Sequence, residues 1–517
     1  ETSAENFLAI PASPISYWIS PKLIAAFQNG VSLGDLAIAR NGMKTGDNNK
    51  FIRLWWEVAF NKLNTVSVNY NQAVNSKAKW FPYNKGGEYR KWYGNNDYVV
   101  NWEKSGFEIF EKAKEDGRNV QDYPPELKFS PSLPWSLITS SKPAFRYKVG
   151  NLSDIAGMSL YSDELNIKRY LGLLNSKVSL EILKLIAPTI NFQAGDIARI
   201  PILENNDFEP RIIELTEQNI EISKNDWDAQ ETSWDFKTHP LITKSSLLSA
   251  YEEWQAVTND RFQKLMKNET ELNEITSTIY GLSDELSSDV EGKDITINKA
   301  DKGRDIRSLI SYALGCIFGR YSLDVEGIAF AGGKWDERKY QRFIPDNDNI
   351  IPITDEEYFQ DDIIGRIVEF FKAIYGSNNL ESSLDFIAEA LGNKGNSSRE
   401  IIRNYFVKDF YKDHCQVYQK RPIYWLFESG KQNGFKALVY MHRYDENTIG
   451  NLRVDYLHRL QRIYENEIAR MQETIENSKD AREVTAATKR KEKLIKQLQE
   501  TKEYDEKIAH LALARTS

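Results

Sequence analysis

The chain has 517 residues, 41% hydrophobic and 27% charged, with a net charge of −8. That length implies two to four domains, and the acidic balance argues against a generic polyanion binder. Two distant cysteines, Cys316 and Cys415, and five scattered histidines offer neither a disulfide framework nor a zinc site, which points to a reducing cytoplasm. No apolar run approaches the ~18 residues of a membrane span. The sequence opens on Glu1 without a methionine or signal pattern, as a piece of something longer would.

The charge is unevenly spread. Residues 1–204 carry 24 Lys and Arg against 20 Asp and Glu, a net of +4, so the remaining 43 against 55 give −12. The first part is therefore the better face for nucleic acid and the rest the better scaffold.

In chain order, residues 1–205 mix β-like runs, helices and turns. Tyr17–Ser20, Ala144–Val149 and Ala198–Leu203 read as extended, and Tyr170–Ile186 reads as one helix ended by Pro188. Residues 206–302 form a helical connector: the pattern over Tyr251–Leu282 is helical, Gly281 is its C-cap, and 283–302 is a polar linker. A mostly helical domain follows over 303–441. In the last part, 442–517, Leu457, Leu460, Tyr464, Ile468, Met471 and Ile475 trace a heptad seam. Asn477–Arg482 interrupts it, and Leu494, Leu498, Ile508 and Leu511 continue on a second helix, giving a coiled-coil helical hairpin. One long oligomerising helix is the alternative. The fold class is thus α+β: a mixed α/β domain, then helical domains, then the hairpin.

Three stretches could carry recognition. In RNGMKTGDNNKF (Arg40–Phe51), Gly42 and Gly46 let the backbone approach a ligand closely, Lys44 and Lys50 suit phosphates, and Asn48 and Asn49 suit base edges. Read alone, it is more simply a hairpin turn facing water. Lys77–Asn95 sets Lys77, Lys79, Lys85, Arg90 and Lys91 against one acid, Glu88, and interleaves Trp80, Phe81, Tyr83, Tyr89, Trp92 and Tyr93. Cations there would release counterions and aromatic faces would stack on bases, unless the rings are core and the lysines a rim. In Ala187–Ile202, Asn191 and Gln193 alternate with apolar residues, as on a strand showing amides on one side; on spacing alone they satisfy a domain edge.

Phe330–Asp336 (FAGGKWD) lacks a strand-GxGxxG-helix context and reads as a structural turn, and Lys489–Lys493 as a solvated helix face. There is no Walker lysine loop, GxSxG or HExxH, and no nuclease carboxylate cluster. YPPE (Tyr123–Glu126) has the wrong order for the Pro-Pro-aromatic motif of adenine methyltransferases. No catalytic, cofactor-binding or metal-binding residue is assigned.

Together, Asn41–Asn48, Trp80–Asn95 and Leu174–Ile202 resemble the target-recognition part of the PglX family, the DNA adenine methyltransferases of BREX phage defence, and its relatives among type IIG restriction-modification enzymes. Ser311–Asp324 and Phe330–Asp336 resemble the region that follows. The resemblance runs over most of residues 1–440, while the terminal helices are generic by sequence. It implies transfer of a methyl group from S-adenosylmethionine to adenine N6, with the target base flipped into a pocket of the N-terminal methyltransferase half. This chain lacks that half's motifs, so the resemblance implies specificity without catalysis: a chain inactive alone, holding no cofactor itself. The implied partners are double-stranded DNA, the methyltransferase half and other phage-defence subunits. The implied DNA-facing residues are Arg40, Lys44, Thr45, Asn48 and Lys50, then Lys79, Lys85, Arg90 and Lys91, with Asn191 and Gln193 as weaker candidates. The competing reading is a protein-interaction scaffold whose contact surface is the coiled coil.

Overall fold

A computed structural model describes residues 20–119, 121–139, 142–392 and 394–514. It divides into two compact units: residues up to Trp234 with Gln255–Ala300, and Asp235–Trp254 with residues from Asp301 onward. The expected strand at Tyr17–Ser20 lies outside the described residues except for Ser20, which caps the helix Pro21–Asn29.

In the first unit a four-stranded sheet runs in the order Ile52–Leu54, Tyr98–Asn101, Trp80–Asn84, Leu152–Ser153, antiparallel except for the last pair. Directly paired residues share a face, so Ile52, Val100 and Phe81 turn together onto a core that also holds Phe51, Trp102 and Phe129. Ile38–Arg40, Ser159–Tyr161 and Ser132–Pro134 form a second, antiparallel sheet. Val31–Ser32 pairs with Pro201–Ile202, a fragment of the extended run expected at Ala198–Leu203. The run Ala144–Val149 makes single bridges at Arg146 and Lys148 rather than a continuous strand.

The helix expected over Tyr170–Ile186 is two helices, Glu164–Leu174 and Lys177–Ile186. Asn175 leaves the helix to bond the backbone of Phe145 through both its amide atoms at 3.0 Å. Ser176 restarts it, its hydroxyl accepting the Ser179 N–H. Side chains that bond the backbone break helical periodicity without any change in its hydrophobic spacing. Helix Glu209–Trp227 packs on Glu164–Leu174. The helix Leu247–Ile279 closes at Gly281, φ +66°, where Leu282 N–H reaches back to the Ser277 carbonyl at 2.7 Å. The segment expected as a polar linker packs onto the first unit, burying Ile295 and Ile297.

The second unit pairs helices Lys302–Ile317 and Ile363–Leu391 beside an antiparallel sheet of Ile350–Pro352, Lys436–Tyr440 and Tyr424–Glu428, absent from the helical expectation. The hairpin is formed by His458–Asn477 and Ala481–Ala514, entered through a π-helical turn at Leu452–Leu457. Most of its seam is turned away from solvent, while Leu511 stays exposed. Leu460, Tyr464, Leu494 and Ile508 share one core with Ile350, Phe435, Ala437 and Val439 of the sheet. The Tyr464 hydroxyl donates to the Gly434 carbonyl at 2.7 Å, and the Glu500 carboxylate accepts from Ser429, Gln432 and Gly434. Arg490 and Lys493, expected on a solvated face, both pair with Asp355. No described helix is long and apolar enough to cross a membrane.

Candidate nucleic-acid interface

The segment Arg40–Phe51 leaves the strand Ile38–Arg40 and enters the four-stranded sheet through the short helix Asn48–Phe51. It is no hairpin turn, and its backbone is pinned along most of its length. Gly42 lies against Ser153 so closely that a Cβ there would sit 1.8 Å from the Ser153 carbonyl oxygen, which also accepts the Met43 N–H at 2.8 Å. The Tyr83 hydroxyl donates to the Met43 carbonyl at 3.0 Å, and Lys44 N–H to the Gln121 carbonyl at 3.0 Å. Gly46, at φ +76°, presents its carbonyl to Arg118 Nη1 at 3.1 Å. Asp47 caps the helix, accepting the Lys50 N–H at 3.0 Å.

The pinned backbone leaves its side chains outside. Arg40, Lys44, Asn48, Asn49 and Lys50 are exposed, and none of the three cations pairs with a described carboxylate. Thr45 is buried instead, 2% exposed, and its hydroxyl donates to Asn48 Oδ1 at 2.8 Å. That bond engages the Asn48 oxygen and leaves its amide nitrogen as the outward donor, so Thr45 positions Asn48 and offers nothing itself. Arg53 belongs with this group although the sequence reading passed over it. Its Nη1 donates to the carbonyls of Asn49 and Ile52, at 2.5 and 2.7 Å, and its guanidinium stands 6.0 Å from the Trp80 ring. Its signal was the alternation Ile52-Arg53-Leu54, which turns the middle residue of an edge strand away from the core.

Lys79 and Lys85, both half-buried, flank the strand Trp80–Asn84. At ~3.3 Å per residue they stand roughly 20 Å apart. Lys85 opens the Gly86–Gly87 turn, both glycines at positive φ. Of the interleaved aromatics, Phe81, Tyr83 and Trp92 are core.

Arg90 and Lys91 require correction as DNA-facing residues, because both are committed inside the first unit. Arg90 Nη2 pairs with Asp226 at 2.8 Å, its Nε donates to the Tyr93 carbonyl, and its guanidinium lies 5.0 Å over Trp227. Lys91 pairs with Glu269, whose other oxygen accepts Trp92 Nε1–H at 2.7 Å; the two charged side chains are 8% and 4% exposed. The local count that made Lys77–Asn95 look basic could not include carboxylates 136 and 178 residues away. Three further cations of this part are buried, among them Lys128, which pairs with Asp122 at 2.6 Å. Arg146 donates Nη1 to the Arg90 carbonyl at 3.1 Å, while its Nε and Nη2 find no partner among the described residues. Burial and the neighbouring Arg90 bring Arg146 down to about 10. Lys148 donates to the Asn95 carbonyl at 2.8 Å, and burial with the adjacent Arg146 brings it down to about 7. The net of +4 therefore overstates the charge this part shows to solvent.

Asn191 and Gln193 do not sit on a strand. Asn191 makes one bridge, to Ile138, and Gln193 directly precedes the short helix Ala194–Ala198. Gln193 Nε2 donates to Asn191 Oδ1 at 3.0 Å, so the two amides partly satisfy each other.

YPPE does not form a base pocket. Tyr123 is buried, and its hydroxyl accepts the Ser153 N–H at 2.9 Å, so it braces the segment that Gly42 lies against.

In the second unit, Gly332 and Gly333 of FAGGKWD adopt positive φ and turn Trp335 onto Tyr340, 4.9 Å away and stacked, with the Arg443 guanidinium 4.6 Å from the indole. These groups line an open cavity of about 610 Å³. Asp346, Asp348 and Asp361 bring carboxylate oxygens within 4.8 Å of one another. Burial, then Asp348, pushes Asp346 up to about 7, and the Tyr456 hydroxyl contacts both Asp348 and Asp361. His414 is buried, with Nε2 accepting from the Ile423 and Tyr424 N–H groups at 3.1 Å, a structural role.

No family model matches the chain. Over 526 residues it is 42% identical to a protein of Lacticaseibacillus casei (strain Zhang) described as adenine-specific methyltransferase PglX, an alignment covering 99% of this chain and 43% of that protein. Over 550 residues it is 35% identical to the adenine-specific methyltransferase BrxX of Escherichia coli O9:H4 (strain HS), covering 100% of this chain and 44% of that protein. The chain spans less than half the length of these curated relatives. The similarity takes in the terminal hairpin as well, beyond the residues 1–440 that carried the resemblance.

Proposed function

We propose that this chain, a relative along its whole length of one part of the PglX and BrxX adenine-specific methyltransferases, is the C-terminal, target-recognition portion of a site-specific DNA adenine-N6 methyltransferase of bacterial phage defence. The whole enzyme takes its methyl group from S-adenosylmethionine, bound in the N-terminal half. That half, double-stranded DNA and other phage-defence subunits are its partners, and the cytoplasm is its place. The observation that carries this reading is the pinned loop with unpaired donors outside, in a chain that matches less than half of its relatives.

On this reading Arg40, Lys44 and Lys50 neutralise phosphates and set the register of the duplex. Asn48, held by Thr45, and Asn49 reach base edges. Arg53 and Lys79 extend the cationic surface at one end of the strand Trp80–Asn84, and Lys85 at the other. A loop whose backbone is already ordered brings little conformational entropy cost to DNA binding.

The test is selection of this chain against a randomised duplex pool at about 100 mM salt, where non-specific phosphate binding is weakened. Enrichment of one short motif containing adenine is expected. Folded protein that enriches no motif, alone or joined to its methyltransferase half, would overturn the assignment.

A further inference from the structure

The first unit carries an apolar groove that the recognition loop does not use. Its floor is Leu180, Leu183, Ala187, Phe192 and Leu286, and its volume is about 570 Å³. Beside it, residues 138–139 and 190–191 pair as a two-stranded tip: Ile138 bridges Asn191, and Thr139 N–H donates to the Ile190 carbonyl at 3.1 Å. Directly paired residues share a face, so Ile138 and Ile190 lie on opposite sides of the tip, and they are 63% and 59% exposed.

The rim excludes a nucleic-acid backbone as the occupant. Lys142 is paired with Asp294 at 2.8 Å, Lys184 with Glu181, and Lys177 donates to the carbonyls of Ser287 and Asp289. Lys142 and Lys184 are charge-paired and Lys177 is held by two carbonyls, so the groove lacks the run of free cations that a phosphate backbone needs. The floor side chains are all apolar, giving a small polar ligand nothing to orient it. An apolar floor inside a satisfied polar rim, beside exposed isoleucines, is the composition of a protein-protein contact.

We infer that this groove and the Ile138/Ile190 tip receive the rest of the longer protein, the part of the PglX and BrxX relatives that lies outside their match to this chain. The inference rests on the proposed function. More than half of each relative's length is unaccounted for by the match, and a covalently joined segment meets this surface at a high effective concentration. Docking there would place the unit that selects the site against the one that acts on it.

The experiment compares amide hydrogen exchange in this chain alone with exchange in the full-length protein. At least tenfold slower exchange at 138–139, 180–192 and 285–287 is expected in the full-length protein, and Ile138→Asp with Ile190→Asp should reverse it. Both positions are more than half exposed, so the isolated chain should keep its thermal transition with these substitutions. Unchanged exchange in the full-length protein would overturn the inference. So would concentration-dependent protection of the same segments in the isolated chain, which would make a second copy the occupant. DNA selection by the isolated chain reads the recognition assignment separately: exchange that does not change beside intact selection removes only the docking.

Discussion

Replacing Lys91 with methionine separates a structural cation from a DNA-facing one. Lys91 and Glu269 are buried at 8% and 4% side-chain exposure, and Glu269 also accepts the Trp92 indole N–H. Lys91→Met keeps most of the aliphatic stem and removes the charge, leaving a buried carboxylate with one neutral donor. Breaking a buried pair from one side costs about 3–5 kcal/mol. Restoring neutrality with Lys91→Met and Glu269→Gln together should recover most of this, because the glutamine oxygen can still accept from Trp92. A residual cost of about 1–2 kcal/mol is expected for exchanging a charge-assisted bond for a neutral one. Urea unfolding of the two single variants and the double variant closes the cycle. Lys44→Met, at an exposed position without a pair, should change stability by less than about 0.5 kcal/mol. If Lys91→Met leaves unfolding unchanged but abolishes DNA binding, the burial argument is wrong and Lys91 returns to the interface.

Three further outcomes follow from the same geometry. Lys44→Glu with Lys50→Glu should lower duplex affinity and reduce the slope of log affinity against log salt by about 2, at ~0.9 per phosphate contact, measured by anisotropy titration over a salt series. Lys148, brought down to about 7 by burial, is neutral in the folded chain at pH 9 while the unfolded chain still holds its proton. Stability from this residue therefore rises with pH between about 7 and 10 by up to ~1.4 kcal/mol per pH unit, and Lys148→Met should flatten that rise in urea midpoints taken at pH 7 and 9. Asp346 behaves oppositely: pushed up to about 7, it keeps a proton that the unfolded chain releases near pH 4, so its contribution is present at low pH and lost as pH rises through 7. Asp346→Asn should therefore raise the unfolding temperature more at pH 8 than at pH 5.

The parts legible in the sequence were those set by neighbours along the chain. The heptad residues of His458–Asn477 form one face, and the Gly281 stop closes the long helix, because both depend on local spacing and backbone freedom. The break at Asn175–Ser176 was also local, written in a side-chain oxygen that could cap, but leucine spacing on either side concealed it. At the candidate interface the loop Arg40–Phe51 announced itself by composition, and its outward lysines, arginine and asparagines are where that composition suggested. What composition could not tell was which cations find carboxylates. Arg90 and Lys85 look alike in the chain, yet one meets Asp226 from a helix folded over it and the other flanks a turn. The small strands of these sheets were equally hidden, since strands of two to five residues carry too few alternations to read.

The division of labour within Arg40–Lys50 has a consequence for how such proteins diversify. The contacts that hold the loop use backbone atoms, together with Gly42, Gly46, Asp47 and the outside residues Tyr83 and Arg118. The outward side chains of Lys44, Asn49 and Lys50 take little part in the bracing, while the Asn48 oxygen accepts the Thr45 hydroxyl. Substitutions at those three positions can accumulate without a folding penalty, whereas a change at Gly42 meets the Ser153 carbonyl at once and a change at Asn48 strands the buried Thr45 hydroxyl. Side chains at these positions can thus vary one at a time on an unchanged frame.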